Sequence, residues 1–228
     1  MARTDTLTNF LTDVAAAIKA KKGDESAIPA ANFDTEIINL PSGGGDNTAL
    51  IILIDRTATS FEIPEGTTKI GEYVFRGCTG LTSITIPYSV TSIGNYAFYN
   101  CTGLTSIAIP DSVKSIGSSA FYNCTGLTRV TVGNNVKTIG SYAFSGCTGL
   151  TSVTIPDSVK IIGSSAFYEC TSLTEIDFST HTTVPTLTST NAFTNTSSSL
   201  VIKVPSALLD EWKAATNWST YADKIVGV

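Results

Sequence analysis

A 23-residue period is the feature that most constrains this chain. Five cysteines follow one another at this single fixed spacing, at Cys78, Cys101, Cys124, Cys147 and Cys170. Leucine, isoleucine or valine, and phenylalanine share that period, the phenylalanines being Phe75, Phe98, Phe121, Phe144 and Phe167. A fixed period of this length is typical of stacked repeats, in which each unit buries its apolar face against its neighbours. The sequence therefore predicts a solenoid.

Each unit combines an alternating strand pattern, L-x-x-I-x-I-P, with a second extended piece and a third segment read as a helical turn. Asn95, Ser118, Ser141 and Ser164 occupy the position expected to cap that turn. The residue before each cysteine is predicted to have positive φ, because it is usually Gly or Asn, although Glu169 departs from that rule. Seven strands are expected in one parallel sheet, ending near Pro64, Pro87, Pro110, Gly133, Pro156, Ser179 and Pro205.

The cysteine column has three interpretations, namely a metal site, a disulfide ladder and packing. Zinc ligands usually come in closely spaced pairs, whereas these cysteines are separated by a whole repeat and the chain has one histidine. Stacked neighbours would place their Cβ vectors in parallel, which disfavours disulfides. The favoured interpretation is a buried column in which each thiol packs a tight corner of its coil. No metal and no cofactor are expected.

Composition excludes several kinds of partner. The 228-residue chain carries a net charge of −5, which argues against nucleic acid and against anionic lipid, because both attract clustered Lys and Arg. No apolar run reaches the ~18 residues of a membrane span, so membrane insertion is not expected. The N-terminus shows no apolar segment of the kind found in secretory signals.

Four segments are predicted. Residues 1–40 show helical spacing and are expected to form either a small helical hairpin against the solenoid or an attachment and oligomerisation segment. Residues 41–46 form a glycine-containing linker. Residues 47–205 form the solenoid, and residues 206–228 form a helical C-terminal cap beginning at an N-cap serine, Ser206. Trp212 and Trp218 are expected to cover the last coil, the alternative being a ligand platform.

No catalytic constellation is recognised, so the chain is not expected to be an enzyme. His181 stands alone, and Glu175 and Asp177 are expected to face opposite or offset directions on one strand, as a solvated pair. Two candidate binding surfaces remain. The first is the sheet face, where Arg129, Glu175 and Asp177 stand out among small residues. The second is an aromatic rim, interpreted either as a binding surface or as cover for the coil edges, of Tyr73, Tyr96, Tyr99, Tyr122, Tyr142 and Tyr168.

The repeat, for example "SVTSIGNYAFYNCTGLTSIAIP" from Ser89 to Pro110, resembles the BspA-type leucine-rich repeat. That resemblance implies an α/β repeat fold, a right-handed solenoid, and adhesion or protein recognition, usually on bacterial surfaces. The segment from Leu11 to Ile37 resembles a segment near the start of phage and prophage tail-associated proteins. The segment from Ala207 to Ile225 is similar to terminal segments of such repeat proteins.

The function expected from these features is non-enzymatic binding or adhesion. The leading hypothesis is a phage tail-associated protein that recognises a protein or glycan on a host surface and assembles through residues 1–40, giving a virion or extracellular location. One alternative is a bacterial cell-surface adhesin domain that binds host or matrix proteins. A second alternative is a structural spacer.

Overall fold

A computed structural model describes residues 59–63 and 65–228 of the chain. The predicted helical module at residues 1–40 and the linker at residues 41–46 lie outside the described residues. What is described is a parallel β-solenoid of 23-residue coils, as the period predicts. The last full coil contains an insertion, because Ser152 pairs with Glu175 at the regular spacing whereas Glu175 pairs with Val201, which lies further along the chain.

Short parallel strands from successive coils form the broad side of the solenoid. The first two strands pair with each other, and the remaining six form one sheet. These strands are β1 (Ser60–Glu62), β3 (Ser83–Thr85), β5 (Ser106–Ala108), β7 (Arg129–Thr131), β9 (Ser152–Thr154), β11 (Glu175–Asp177), β13 (Val201–Val204) and β14 (Ile225–Gly227). The first seven confirm the predicted segments, whereas β14 was not foreseen.

The second extended piece of each unit forms a narrow sheet of six two-residue parallel strands. These are β2 (Lys69–Ile70), β4 (Ser92–Ile93), β6 (Ser115–Ile116), β8 (Thr138–Ile139), β10 (Ile161–Ile162) and β12 (Thr186–Leu187). The apolar second residue of each strand is buried. The two sheets enclose one continuous hydrophobic core.

The segment between the narrow sheet and the cysteine is a series of turns, so the predicted helical turn is wrong. Alternate N–H groups bond to the next coil, as in Phe98 N to Ala120 O at 2.7 Å. The others close single turns to the residue three before, as in Tyr99 N to Tyr96 O at 3.1 Å, so no continuous helix forms. Positive φ at Tyr96 also interrupts a helical path. Asn95 is not an N-cap, since its Oδ1 accepts from the backbone N–H of Ser118 in the next coil at 2.8 Å.

The predicted column of positive φ is confirmed. It holds Gly77 at 72°, Asn100 at 58°, Asn123 at 56°, Gly146 at 72° and Glu169 at 58°. Glu169 therefore keeps the left-handed backbone despite its side chain, which shows that the stack imposes the conformation.

The C-terminal segment is only partly helical, which corrects the prediction of a helical cap. It contains one α-helix, α1 (Leu209–Ala214), two 3₁₀ turns (Ser206–Leu208 and Trp218–Tyr221) and strand β14. Ser206 makes no N-cap bond, and its Oγ donates to Val228 O at 3.2 Å. Trp212 and Trp218 are 0% and 1% exposed, so they cover the last coil and are not a ligand platform.

His181 is buried beneath this cap, at 3% exposure. Its ring packs edge-on against Phe178 and Trp212, with centroids 5.1 and 5.9 Å away. Neither ring nitrogen has a hydrogen-bond partner among the described residues, and the Trp212 Nε1 shares that condition. Burial lowers the pKa of His181, and Lys160 adds to that effect, while Asp157 and Asp177 oppose it.

This site predicts a loss of stability in mild acid. A histidine in an unfolded chain titrates near pH 6.5, whereas folded His181 titrates lower, so the unfolded state binds more protons between the two pKa values. The contribution of His181 to the free energy of unfolding is therefore complete above about pH 7. It falls as the pH drops through the pKa of the unfolded chain, with a slope of at most ~1.4 kcal/mol per pH unit. Thermal unfolding followed by tryptophan fluorescence from about pH 7.5 to 5.5 measures the fall.

The His181→Leu variant is the matched control. It removes the titrating group and both unpartnered ring nitrogens, so at pH 7.5 its Tm should equal or exceed that of the wild type. Asp157 stays charged across this range, because the Thr182 backbone N–H and Lys160 hold its pKa at about 2. Parallel loss of Tm in both proteins would contradict the prediction.

Candidate functional site

A groove of about 790 Å³ lies on the outward face of the broad sheet. Strands β5, β7 and β9 form its floor, and the turns that follow the strands form its rim. Apart from Arg129, outward side chains on the floor are small, as at Ala108, Thr131 and Thr154, which lie opposite one another on the three strands. Two charged side chains line it among the described residues, Arg129 on the floor and Asp111 on the rim.

Tyr88 stands on this rim with 79% of its surface exposed. The equivalent turn position in the other coils holds Glu65, Asp111, Asn134, Asp157 and Thr180. Those are small or acidic residues that suit a turn, and Asp111 Oδ1 accepts from the backbone N–H of Asn134 at 2.6 Å. A tyrosine there replaces turn chemistry with exposed aromatic surface. The sequence interpretation missed Tyr88, although comparison within its column would have identified it.

The structure separates the three predicted sheet-face residues. Arg129 is exposed and lies in the groove. Glu175 lies two strands away, opposite Ser152, and forms an ion pair with Lys203 at 2.7 Å. That bond raises the pKa of Lys203.

Asp177 lies outside the groove as well. Its Oδ1 accepts from the backbone N–H of Ser179 at 2.8 Å and so closes the following turn. Of the two arrangements expected for Glu175 and Asp177, opposite directions is wrong, because residues i and i+2 of a strand share a face. Their contacts indicate structural roles for both.

The tyrosines of the predicted aromatic rim, a surface separate from the groove, form a stacked ladder in the first coils. Tyr73 stacks on Tyr96, and Tyr99 on Tyr122, each with centroids 4.9 Å apart and planes within 6°. The Arg76 guanidinium lies 5.6 and 5.5 Å from the Tyr73 and Tyr99 rings. Because the stacked faces cover each other, the rings present mainly edges and hydroxyls to solvent.

Tyr142 and Tyr168 lie further along the same aromatic rim. Tyr142 is 45% exposed, and its column neighbours are Ser119 and Ser165, so no ring of its own column covers its faces. Tyr168 is half-buried, and its hydroxyl lies 3.4 Å from Asn195 Nδ2. The tyrosines therefore do not form one uniform platform.

The cysteine column is buried, and its five side chains are thiols and not disulfides. Each thiol from the second onward donates to a phenylalanine carbonyl of the preceding coil, as in Cys124 Sγ to Phe98 O at 3.1 Å. The same bond occurs at Cys101, Cys147 and Cys170, at 2.9 to 3.1 Å. This geometry agrees with the packing interpretation. In residues 59–63 and 65–228, no cluster of His, Cys, Asp and Glu could hold a metal ion.

The fold and the groove define a class of protein, a β-solenoid whose repeats display a variable outer face. The sequence model of the BspA-type leucine-rich-repeat region matches residues 55–174 and 91–211, with six copies. The chain therefore belongs to the BspA-type leucine-rich-repeat family. Proteins of this family are often surface-associated. The match does not reach residues 11–37, so the phage-tail resemblance of that segment gains no support. No helix in the described part is both long and apolar enough to cross a membrane.

Solved structures share the fold. A leucine-rich-repeat protein of T. pallidum is 29% identical over 65% of this chain and 72% of its own length, with a TM-score of 0.55. A leucine-rich-repeat protein from Eubacterium ventriosum is 29% identical over 61% of this chain and 43% of its own, with a TM-score of 0.53. The pneumococcal vaccine antigen PcpA is similar in fold, with a TM-score of 0.59 at 20% identity over 75% of this chain and 40% of its own. A comparison with curated proteins finds no match.

The thiol column predicts low cysteine reactivity in the folded protein. Burial raises the pKa of Cys124 and of Cys170 to about 12, and the thiolate is the form that reacts. Ellman's reagent at pH 8 should therefore label none of the five thiols of the native protein quickly and all five in guanidinium. Rapid native labelling, or fewer than five thiols on unfolding without reductant, would contradict the packing interpretation.

Proposed function

We propose that the protein is a non-enzymatic binding protein that recognises a protein or glycan on a cell surface through its broad-sheet groove. The observation that carries the proposal is that Tyr88 and Arg129 both line this groove. Tyrosine and arginine are enriched among the residues that dominate binding energy at interfaces. Both replace smaller residues that the repeat uses at the same positions, so neither is required by the fold.

The groove supports binding better than catalysis. Its floor carries hydroxyl-bearing and small side chains, and its two charges are of opposite sign. A nucleophile paired with a general base is missing from its lining residues, and His181 is buried beneath the cap and does not line the groove. An open surface with Tyr88 on its edge and Arg129 on its floor suits a polar partner such as a carboxylate-bearing glycan or an acidic peptide.

The setting that we favour is phage tail-associated recognition of a host surface, with residues 1–40 as the assembly segment. The resemblance of residues 11–37 to tail-associated proteins motivates it. A bacterial surface adhesin that binds host or matrix proteins is the second candidate, favoured by the bacterial origin of the structural relatives. A structural spacer is the third and requires a groove without a ligand.

The groove is tested by exchanging its two distinctive residues for those of neighbouring coils. Tyr88→Asp with Arg129→Ser should lower binding of the labelled full chain to intact bacteria, or to purified extracellular-matrix proteins, by about tenfold or more. Stability should change little, because Asp and Ser already occupy these columns. The matched control is Tyr142→Ser on the aromatic rim, which also introduces a residue that other coils have in the same column.

The two preparations of partner distinguish the settings. Binding to bacteria alone favours the phage interpretation, and binding to matrix proteins alone favours the adhesin. Equal binding by the wild-type protein and the groove variants would refute the groove as the binding site. Absence of binding by a folded wild-type protein to every surface tested would leave the spacer.

The assembly segment is tested by the solution mass of the full chain and of residues 46–228, measured by light scattering after size exclusion. The phage interpretation predicts an oligomeric full chain and a monomeric truncation, because residues 1–40 would carry the contacts. Two monomers would count against assembly through this segment and would move the adhesin ahead.

A further inference from the structure

Three lysines form a straight stripe on a second surface, at the position just before strands β6, β8 and β10. Lys114, Lys137 and Lys160 occupy the same position in three successive coils, and all three are exposed. Backbone bonds fix them in register, from Lys137 N to Lys114 O at 2.8 Å and from Lys160 N to Lys137 O at 2.9 Å. Neighbouring strands lie ~4.8 Å apart, so the stripe places three ammonium groups along about 10 Å of the solenoid axis.

The fold does not require these charges. The same column holds Thr68, Thr91 and Pro185 in other coils, and Thr91 N bonds to Thr68 O at 2.8 Å just as the lysines bond to one another. Like charges on directly opposed residues of adjacent strands destabilise a sheet. A stack that held only its own coils together would therefore do better with threonine throughout.

The stripe keeps most of its charge. Lys160 forms an ion pair with Asp157 at 3.1 Å, whereas Lys114 and Lys137 form none among the described residues. Asp111, the acidic residue closest in sequence to Lys114, has one carboxylate oxygen bound to the Asn134 backbone N–H. Two of the three cations are thus available to an outside anion without first breaking an ion pair.

The residues around the lysines favour binding of sulfate or phosphate groups over binding of nucleic acid bases. Serine, threonine and asparagine flank the lysines, as at Ser115, Asn135 and Thr138. No aromatic residue stands within two positions of any of the three, and proteins that bind single-stranded nucleic acid usually stack bases on aromatic rings. Sulfate or phosphate can accept from ammonium and hydroxyl donors together.

We propose that the lysine stripe binds a linear polyanionic glycan that carries repeated sulfate or phosphate groups, with the polymer lying along the solenoid axis. The net charge of −5 for the whole chain does not oppose this, because binding of a linear polymer depends on the local spacing of the charges. The stripe is distinct from the groove, since none of the three lysines lines it.

The test uses the full chain and two purified probes, heparin for sulfate and poly(glycerol phosphate) for phosphate, with calorimetry at several NaCl concentrations. Lys114→Thr, Lys137→Thr and Lys160→Thr together should weaken binding by about tenfold or more, and the log–log salt slope of the wild type should be about −2. The control triple variant, Lys203→Gln with Lys213→Gln and Lys224→Gln, removes the same charge from the broad sheet and the cap and should keep binding within about twofold.

A second variant works in the opposite direction. Asp157→Asn imports the residue found at Asn134 in the same column and releases Lys160, so it should tighten binding by about two- to threefold. The groove variants Tyr88→Asp and Arg129→Ser should leave heparin affinity unchanged, which separates this proposal from the groove. The proposal is overturned if neither probe binds at low salt, if both triple variants weaken binding equally, or if a 20-nucleotide oligothymidine binds more tightly than either probe.

Discussion

Backbone hydrogen bonds between successive coils are the constraint on which the rest of this structure depends. They run through both sheets and also through the turns, as in Phe121 N to Ala143 O at 2.7 Å. Because every coil meets the next in one register, each side chain lies over its counterpart in the neighbouring coil. The Phe rings accordingly stack with centroids 4.8 to 5.7 Å apart, and each thiol from Cys101 onward reaches the carbonyl of a phenylalanine in the coil before it. Side-chain packing and register reinforce each other, which is the logic of a one-dimensional stack.

The same register turns the outer surface into columns, and this explains why function must be sought in departures from the repeat. A column of serine or threonine is a neutral background that destabilises the stack little. Arg129 interrupts a column that is mostly serine, and the lysine stripe interrupts a column that also holds threonine. Tyr88 interrupts a column of small or acidic turn residues. Each departure can be reverted to a residue that the chain already uses at the same place. Binding and stability can therefore be separated here more cleanly than in a domain where each position has a unique environment.

The periodic part of the fold could be predicted from the sequence, and the non-periodic part could not. Strand positions, the buried cysteines and the positive φ of the Gly and Asn residues before them follow from columns, since five or more copies average out the peculiarities of each coil. Glu169 departs from its column in sequence, and only the structure shows that it keeps the same backbone. The turn before each cysteine was misjudged because S-x-A-F has helical composition, whereas Tyr96 takes positive φ and its N–H bonds to the next coil. Glu175 was misjudged for another reason. Its partner Lys203 lies beyond the inserted residues, where column arithmetic no longer indicates which side chains meet.

The insertion before strand β12 shows how a break in the repeat can end the stack. Its extra residues, and those that follow, present backbone carbonyls that side chains of the cap use as acceptors. Trp218 Nε1 donates to Pro185 O at 2.8 Å, Asn217 Nδ2 donates to Leu187 O at 2.6 Å, and the Tyr221 hydroxyl donates to Thr190 O. In a regular coil such carbonyls accept from backbone N–H groups of the next coil. A cap could then bind only by placing its own backbone N–H groups in the register of a coil. Here β14 imitates one on the broad side, while the insertion supplies acceptors on the other. The same arrangement buries His181 without a hydrogen-bond partner among the described residues, and it places the acid-sensitive point of the solenoid at its terminus.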